Sequence, residues 1–215
     1  EGRQARAIVE TARQQVAAAL GAQGADVIFT SGATEAAGLA LTGRGIRCAD
    51  IEHEAVSSWC QSDLSCGLDG GVACQAPGAK ALQLANSETG ILQQLPDGLA
   101  LCDMTQAFGK LPVAFHWSGA TMALVSAHKI GGPKGVGALI VKRGTEVAAQ
   151  IKGGGQEMGR RSGTENVIGI AGFGAAAEAA QRDLADGVWE QVEKLRNILE
   201  KAVAQSASET IFVGQ

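Results

Sequence analysis

Asp26-Val27-Ile28-Phe29-Thr30-Ser31-Gly32-Ala33-Thr34-Glu35 is the stretch on which the fold turns. Val27 to Thr30 is an unbroken run of branched and aromatic residues, the pattern of a short strand buried on both faces. Ser31-Gly32 supplies a turn, and the alanine-rich segment after it reads as a helix, so the ten residues form a strand-turn-helix unit. Upstream, Ala5, Ile8, Val9, Ala12, Val16 and Leu20 make a helical stripe that Gly21 stops. Downstream, short apolar runs recur at 46–51, 72–75, 81–85, 99–102, 122–125 and 136–141, several of them separated by helix-length segments. From Asn166 the pattern turns helical, breaks near Gly187, and resumes with Val188, Val192, Leu195, Leu199 and Val203 on one face. Thr210 to Gln215 reads as a strand beginning. The expected class is α/β, a mainly parallel sheet with helices on both faces, whose ligands gather at the carboxyl ends of the strands.

Composition narrows the function. With 215 residues, 46% hydrophobic content and a net charge of −4, the chain can bury a substantial core. No basic run or aromatic-basic interleaving is present, which argues against nucleic acid as a partner. No apolar stretch reaches the roughly 18 residues of a membrane span, and the charged, helix-like start is unlike a signal peptide, so a cytoplasmic location is expected. Cys48, Cys60, Cys66, Cys74 and Cys102 contain no C-x-x-C pair, so neither zinc nor any other metal is expected, and the thiols are read as reduced and packed.

Chemistry enters at Leu124-Val125-Ser126-Ala127-His128-Lys129-Ile130-Gly131-Gly132-Pro133-Lys134-Gly135, where an apolar strand ends in serine, histidine and lysine before a glycine turn. Leu101-Cys102-Asp103-Met104-Thr105-Gln106 places an aspartate at the end of another apolar run. A lone lysine is usually a solvated surface group, and a lone aspartate there a turn former. Together they suggest pyridoxal 5'-phosphate, with Lys129 forming an imine with the aldehyde and Asp103 keeping the ring nitrogen protonated. The phosphate needs donors and a positive field, which the helix start at Ala33 and Thr34 offers; Thr34 also reads as an ordinary N-cap. His116, beside Trp117 in a loop, reads as structural.

Four segments resemble the cysteine desulfurase family, within the class V aminotransferase-like proteins: Ser31-Gly32-Ala33-Thr34-Glu35, Asn86-Ser87-Glu88-Thr89-Gly90, Ser126-Ala127-His128-Lys129 with its Gly-Pro-Lys-Gly continuation, and Gly153-Gly154-Gly155-Gln156-Glu157 leading to Arg161-Ser162-Gly163-Thr164. The resemblance implies the large cofactor-binding domain of a pyridoxal-phosphate-dependent transferase fold, over 1–205, with 206–215 beginning a small domain. It implies that Ser126 and His128 reach the phosphate, and that Thr164 does so from the neighbouring subunit of a homodimer. His53, in Ile51-Glu52-His53-Glu54, would stack on the ring and help move protons, so it joins Lys129 as a catalytic candidate. Gln106 would donate to the ring phenolate oxygen, and Asn86 and Ser87 are held jointly near it, because Ser87 stands where the family usually has a second asparagine.

The activity so implied converts L-cysteine to L-alanine and passes the sulfur on as a persulfide, in iron-sulfur cluster assembly or another sulfur-transfer route with an acceptor protein. The family's catalytic cysteine and the arginine that grips the substrate carboxylate are expected past Gln215, and its N-terminal segment before Glu1, so the chain reads as a fragment inactive by itself. Two alternatives stay open: another class V enzyme such as a selenocysteine lyase or an aminotransferase, and a non-catalytic dimerising platform for sulfur-acceptor proteins.

Overall fold

The computed structural model describes residues 2–214. Helix α1 (Gly2–Ala19) leads to β1 (Asp26–Thr30), α2 (Ala33–Leu41), β2 (Arg47–Ala49), the single-turn α3 (Glu54–Ser57) and β3 (Ser62–Leu64). Then come β4 (Lys80–Gln83), β5 (Leu101–Asp103), β6 (Met122–Ser126) and β7 (Gly137–Val141), and finally α4 (Val167–Ala185) and α5 (Val188–Ser206). The seven strands form one sheet in the order β1-β7-β6-β5-β4-β2-β3. Neighbours from β6 to β3 are parallel, while β7 runs antiparallel to both β6 and β1. A short link from β6 to β7 suits that reversal, since a parallel return would need a crossover of a dozen residues or more.

Alternation along the strands divides the core into two layers. Val27, Phe29, Ala123, Val125, Ala138 and Ile140 face α1 and α4, whose Val16, Ile170 and Phe173 complete that layer. Ile28, Met122, Leu124, Leu139 and Val141 face α2 and Val56 of α3. The sheet is thus covered on both faces, as strands without hydrophobic-polar alternation require. Helices α1 and α4 pack closely: a Cβ at Gly174 would lie 2.8 Å from the Ala12 Cα, so only glycine permits this crossing. Phe173 meets Phe29 and Phe108 edge-on, with ring centroids 6.3 and 6.5 Å apart.

Two expectations change. The run at 72–75 is no strand and contributes only a single bridge, Val72 to Cys66, because the chain there turns through Gly67, Gly70 and Gly71 instead of extending beside β4. In its place β3 forms from Ser62-Asp63-Leu64, whose first two residues are exposed, so no apolar run announced it. The end of the chain also differs: 207–214 contains no strand, since it lies beside neither sheet edge and an isolated strand has no ladder to join.

The crossovers from β3 to β4 and from β4 to β5 contain no α-helix; they hold a 3-10 turn at Pro77–Ala79 and two isolated bridges, Cys66 to Val72 and Ala85 to Leu92. Helix α5 buries none of its residues and leaves Leu195, Ile198 and Leu199 exposed; the Trp189 indole N–H, which donates to the Gly109 carbonyl at 2.9 Å, anchors its start. Among the described residues no helix is long and apolar enough to cross a membrane.

Candidate active site

Parallel strands bring their carboxyl ends to one side of the sheet. Gln83, Asp103 and Ser126 are the last residues of β4, β5 and β6, and with the start of α2 they border a cavity of about 470 Å³. Lys129 lies on its wall, in the 3-10 turn Ala127–Ile130 that begins where β6 stops. Gly131, at φ 79°, ends that turn in a left-handed conformation that favours glycine. Lys129 is exposed to this open cavity, whereas Ser126 is buried and its Oγ lies 2.8 Å from His128 Nδ1. Partial desolvation and the ammonium groups of Lys129 and Lys134 hold His128 below the usual histidine range.

The opposite wall is the N-terminus of α2. Its capping residue is Gly32, which has no side chain to satisfy the first-turn amides, so the N–H groups around Ala33 and Thr34 remain for an anion. Thr34 is therefore not the N-cap; it is the second helical residue and lines the cavity. Glu35 accepts the Ser31 N–H at 2.7 Å and pairs with Arg161 at 2.7 Å, which holds its carboxyl below the ordinary range although burial pushes the other way.

Asp103 is buried, and its Oδ1 accepts the Thr105 N–H at 2.8 Å. Burial raises its pKa, against the hydrogen bonds from Thr105 and the charges of His53 and Lys129. Gln106 follows on the helical turn of 104–111 and lines the same cavity, as do His53 and Ser87. His53 caps α3, its Nδ1 accepting the Ala55 N–H at 3.0 Å, which places the ring hydrogen of the neutral form on Nε2. Ser87 donates to Glu88 at 3.1 Å.

Two candidates stand apart. Asn86 lies outside this cavity and on the wall of an adjoining one, and its side chain is engaged: Oδ1 accepts from the backbone of Glu88 and Thr89 and from the Thr89 hydroxyl, while Nδ2 donates once, to the Ile51 carbonyl. It builds the turn that presents Ser87. Thr164 borders a smaller cavity of about 190 Å³, which shares Ser31 and Gly135 with the larger one. It does not cap α4, because Asn166 does so by accepting the Gly169 N–H at 3.1 Å. The segment carrying Thr164 is tied down by buried Glu157, which is left-handed at φ 49° and receives Arg13 at 2.8 and 3.0 Å and the Phe29 N–H at 2.9 Å. His116 bonds the Gln23 carbonyl at 2.6 Å, away from the cavity, and Cys102 is a packed core thiol. No cysteine lines the cavity.

Sequence reasoning passed over Glu52, although its place beside His53 just beyond β2 was a usable signal. Its Oε1 accepts the Gln83 N–H at 2.7 Å, continuing the β2-β4 ladder with a side-chain oxygen where β2 has ended. Oε2 is buried without a partner, and burial, with Asp103 nearby, pushes the acid up to about 8. A raised acid pKa means the folded state holds a proton that the unfolded chain releases, so this stability is complete below about pH 4.5 and is lost as pH rises through about 8. Glu52→Gln should flatten that decline and leave the variant more stable than wild type above pH 8, measured by urea denaturation at stepped pH; an unchanged slope would remove Glu52 as its source.

With the geometry in place, comparison with known proteins supplies the family. The sequence model described as Aminotransferase class-V matches residues 1–68 and 81–215. The chain belongs to the class-V aminotransferase family. It is 37% identical to a cysteine desulfurase of Frankia sp. (strain EuIK1), covering 97% of this chain and 61% of that protein. It is 32% identical to the cysteine desulfurase IscS of Dictyoglomus turgidum, over 99% of this chain and 63% of the relative. Among solved structures, a NifS-like protein from Rickettsia africae superposes with a TM-score of 0.87 at 31% identity, covering 95% of this chain and 65% of that one. DndA from Streptomyces lividans gives 0.84 at 29% identity, over 100% and 71%. The chain thus spans about 60% of the length of the curated relatives it matches.

Class-V enzymes and the cysteine desulfurases among them depend on pyridoxal 5'-phosphate. The donor set here fits that group: an amine for its aldehyde, a buried carboxylate for its ring nitrogen, and helix amides with Ser126 and His128 for its phosphate. The family match omits 69–80, most of the crossover before β4 and the first residue of that strand. The Frankia alignment runs over 256 positions, more than this chain possesses, so the relative carries residues absent here.

Proposed function

We propose that this chain is the cofactor-binding part of a cysteine desulfurase that takes the sulfur of L-cysteine and releases L-alanine. The observation that carries the reading is one cavity bordered by Lys129, buried Asp103 and the uncapped start of α2. When bound, pyridoxal 5'-phosphate supplies an electron sink for a substrate carbanion. Lys129, on the cavity wall, is the amine that would hold its aldehyde. Asp103 would hold the ring nitrogen, its Thr105 bond and the nearby positive charges favouring the ionised carboxylate against burial. His53, whose Nδ1 is taken by the Ala55 N–H, would lie against the ring and serve as a proton carrier through Nε2, and Gln106 would donate to the phenolate oxygen. Thr34, Ser126 and His128 hold the phosphate. The sulfur would be taken by a cysteine thiol brought to this cavity, whose wall holds none among the described residues. From there a persulfide would pass to an acceptor protein.

In the whole protein, Asp103→Asn should lower alanine formation from L-cysteine by more than about tenfold while cofactor affinity changes less, since the swap keeps shape and removes charge. Alanine formation and cofactor titration measured in parallel check this; unimpaired turnover would sink the role.

Thr164 is assigned to the phosphate of the partner subunit in a homodimer. Its distance from the cavity of its own chain, and the capping of α4 by Asn166, support this. Thr164→Ala should weaken cofactor binding by about 1 kcal/mol, the scale of one hydrogen bond. Removing cofactor should also promote dissociation, because a ligand held by both subunits stabilises their association. Sedimentation of apo and loaded protein across a dilution series tests the linkage, and a monomer that holds cofactor as tightly as the dimer would break it.

A further inference from the structure

A second cavity, of about 690 Å³, adjoins the first, and the two share Ala85, Ser87 and Gln106. On its wall is Lys110, four residues beyond Gln106 on the helical turn of 104–111. The Lys110 Nζ is shielded from solvent and has no hydrogen-bond partner among the described residues. Burial and the charge of Lys129 both press it toward the neutral form. An ammonium placed this way is costly, and folds retain such groups where a ligand completes them.

The other charges of the wall are engaged. Arg196 pairs with Glu193 and Glu200 along its own helix at 3.7 and 3.6 Å, and Asp69 accepts the Gly71 N–H at 3.0 Å. Lys110 is the cation left unanswered beside the space where Lys129 would handle an amine. An α-amino acid carries its carboxylate two bonds from its amine, so a site that receives the amine at one lysine needs a second positive group close by.

We propose that Lys110 is a carboxylate-binding residue of this site, the counter-charge for an amino acid that lies across the wall formed by Ser87 and Gln106. This rests on the function proposed above. Lys110 supplies a positive charge on a wall where Ser87, short, neutral and donating to Glu88, offers none.

The test uses the 215-residue chain loaded with pyridoxal phosphate and titrated separately with L-alanine and L-alaninamide, following cofactor absorbance. Lys110→Met should weaken L-alanine binding by about tenfold or more, the loss of one charge-assisted hydrogen bond, and leave the amide within about twofold. Lys110→Arg should retain most of the affinity for L-alanine. Lys110→Met should also raise the thermal midpoint, since it removes an uncompensated buried charge but keeps the stem; a lysine with a purely structural role would lower it. Equal weakening of both ligands, weakening of neither, or a lowered midpoint overturns the assignment while the proposed function stands. A wild-type chain that takes up no cofactor overturns both.

Discussion

Lys129→Ala should abolish covalent attachment of pyridoxal phosphate. Borohydride reduction of the loaded wild-type chain, followed by peptide mapping, should place the label on the peptide containing Lys129, and the variant should yield none. The expectation is sharp because two lysines line the cavity: Lys129 in the turn directly after β6, and Lys134 five residues on. Reach separates them. Lys129 stands in the turn that β6 delivers and its charge is felt by Asp103, whereas Lys134 comes after the left-handed Gly131, beyond that turn. The variant should still hold the cofactor noncovalently, through Asp103 and the amides of α2, so colour shifts instead of vanishing. A label on Lys134 would reassign the attachment.

Arg13→Met should be the most destabilising single change away from the cavity, by about 3–5 kcal/mol. Glu157 is buried and draws both its ion-pair contacts from Arg13, at 2.8 and 3.0 Å, so the substitution strands a carboxylate whose one remaining bond is the Phe29 N–H. The guanidinium also donates to the Val27 carbonyl and lies 4.8 Å from the Phe29 ring centroid. For a chain of this length the midpoint should fall by about 10 °C, read by circular dichroism. Arg13→Met combined with Glu157→Gln should recover much of the loss, because the amide no longer buries a charge. A single-variant loss under about 1 kcal/mol would show that solvent reaches Glu157 when its partner is gone.

Much of this was readable in the sequence, and the reasons are physical. Strands β1, β6 and β7 have five residues each with apolar, buried interiors, and a run of that kind has few other folds open to it. Lys129, Asp103 and Thr34 are legible because strand ends and a helix start are local features, and a parallel sheet gathers such ends on one side. The turn-building bonds of Asn86 could not be read from sequence, because they depend on how its own loop folds back and on the Ile51 carbonyl from another segment. Glu52 and Lys110 escaped notice since both matter through burial without a partner, a property fixed by residues distant in the chain. The strand β3 was hidden because an edge strand needs little hydrophobicity to pair, and the run at 72–75 misled because apolar content does not guarantee a partner.

The helix-free crossovers on either side of β4 have a consequence for how evenly the site is held. The Lys129 side rests on five-residue strands sealed by α1, α2 and α4, so opening there requires nearly global unfolding. Strands β2, β3 and β5 have three residues each, and turns in place of helices flank β4, so fewer contacts oppose local opening. His53 and Ser87 stand on that wing, so amide exchange is expected to be faster around them than in β6, which leads to Lys129. The cleft therefore has one fixed jaw and one compliant jaw, and a ligand that touches both would pay for its grip by quieting the second.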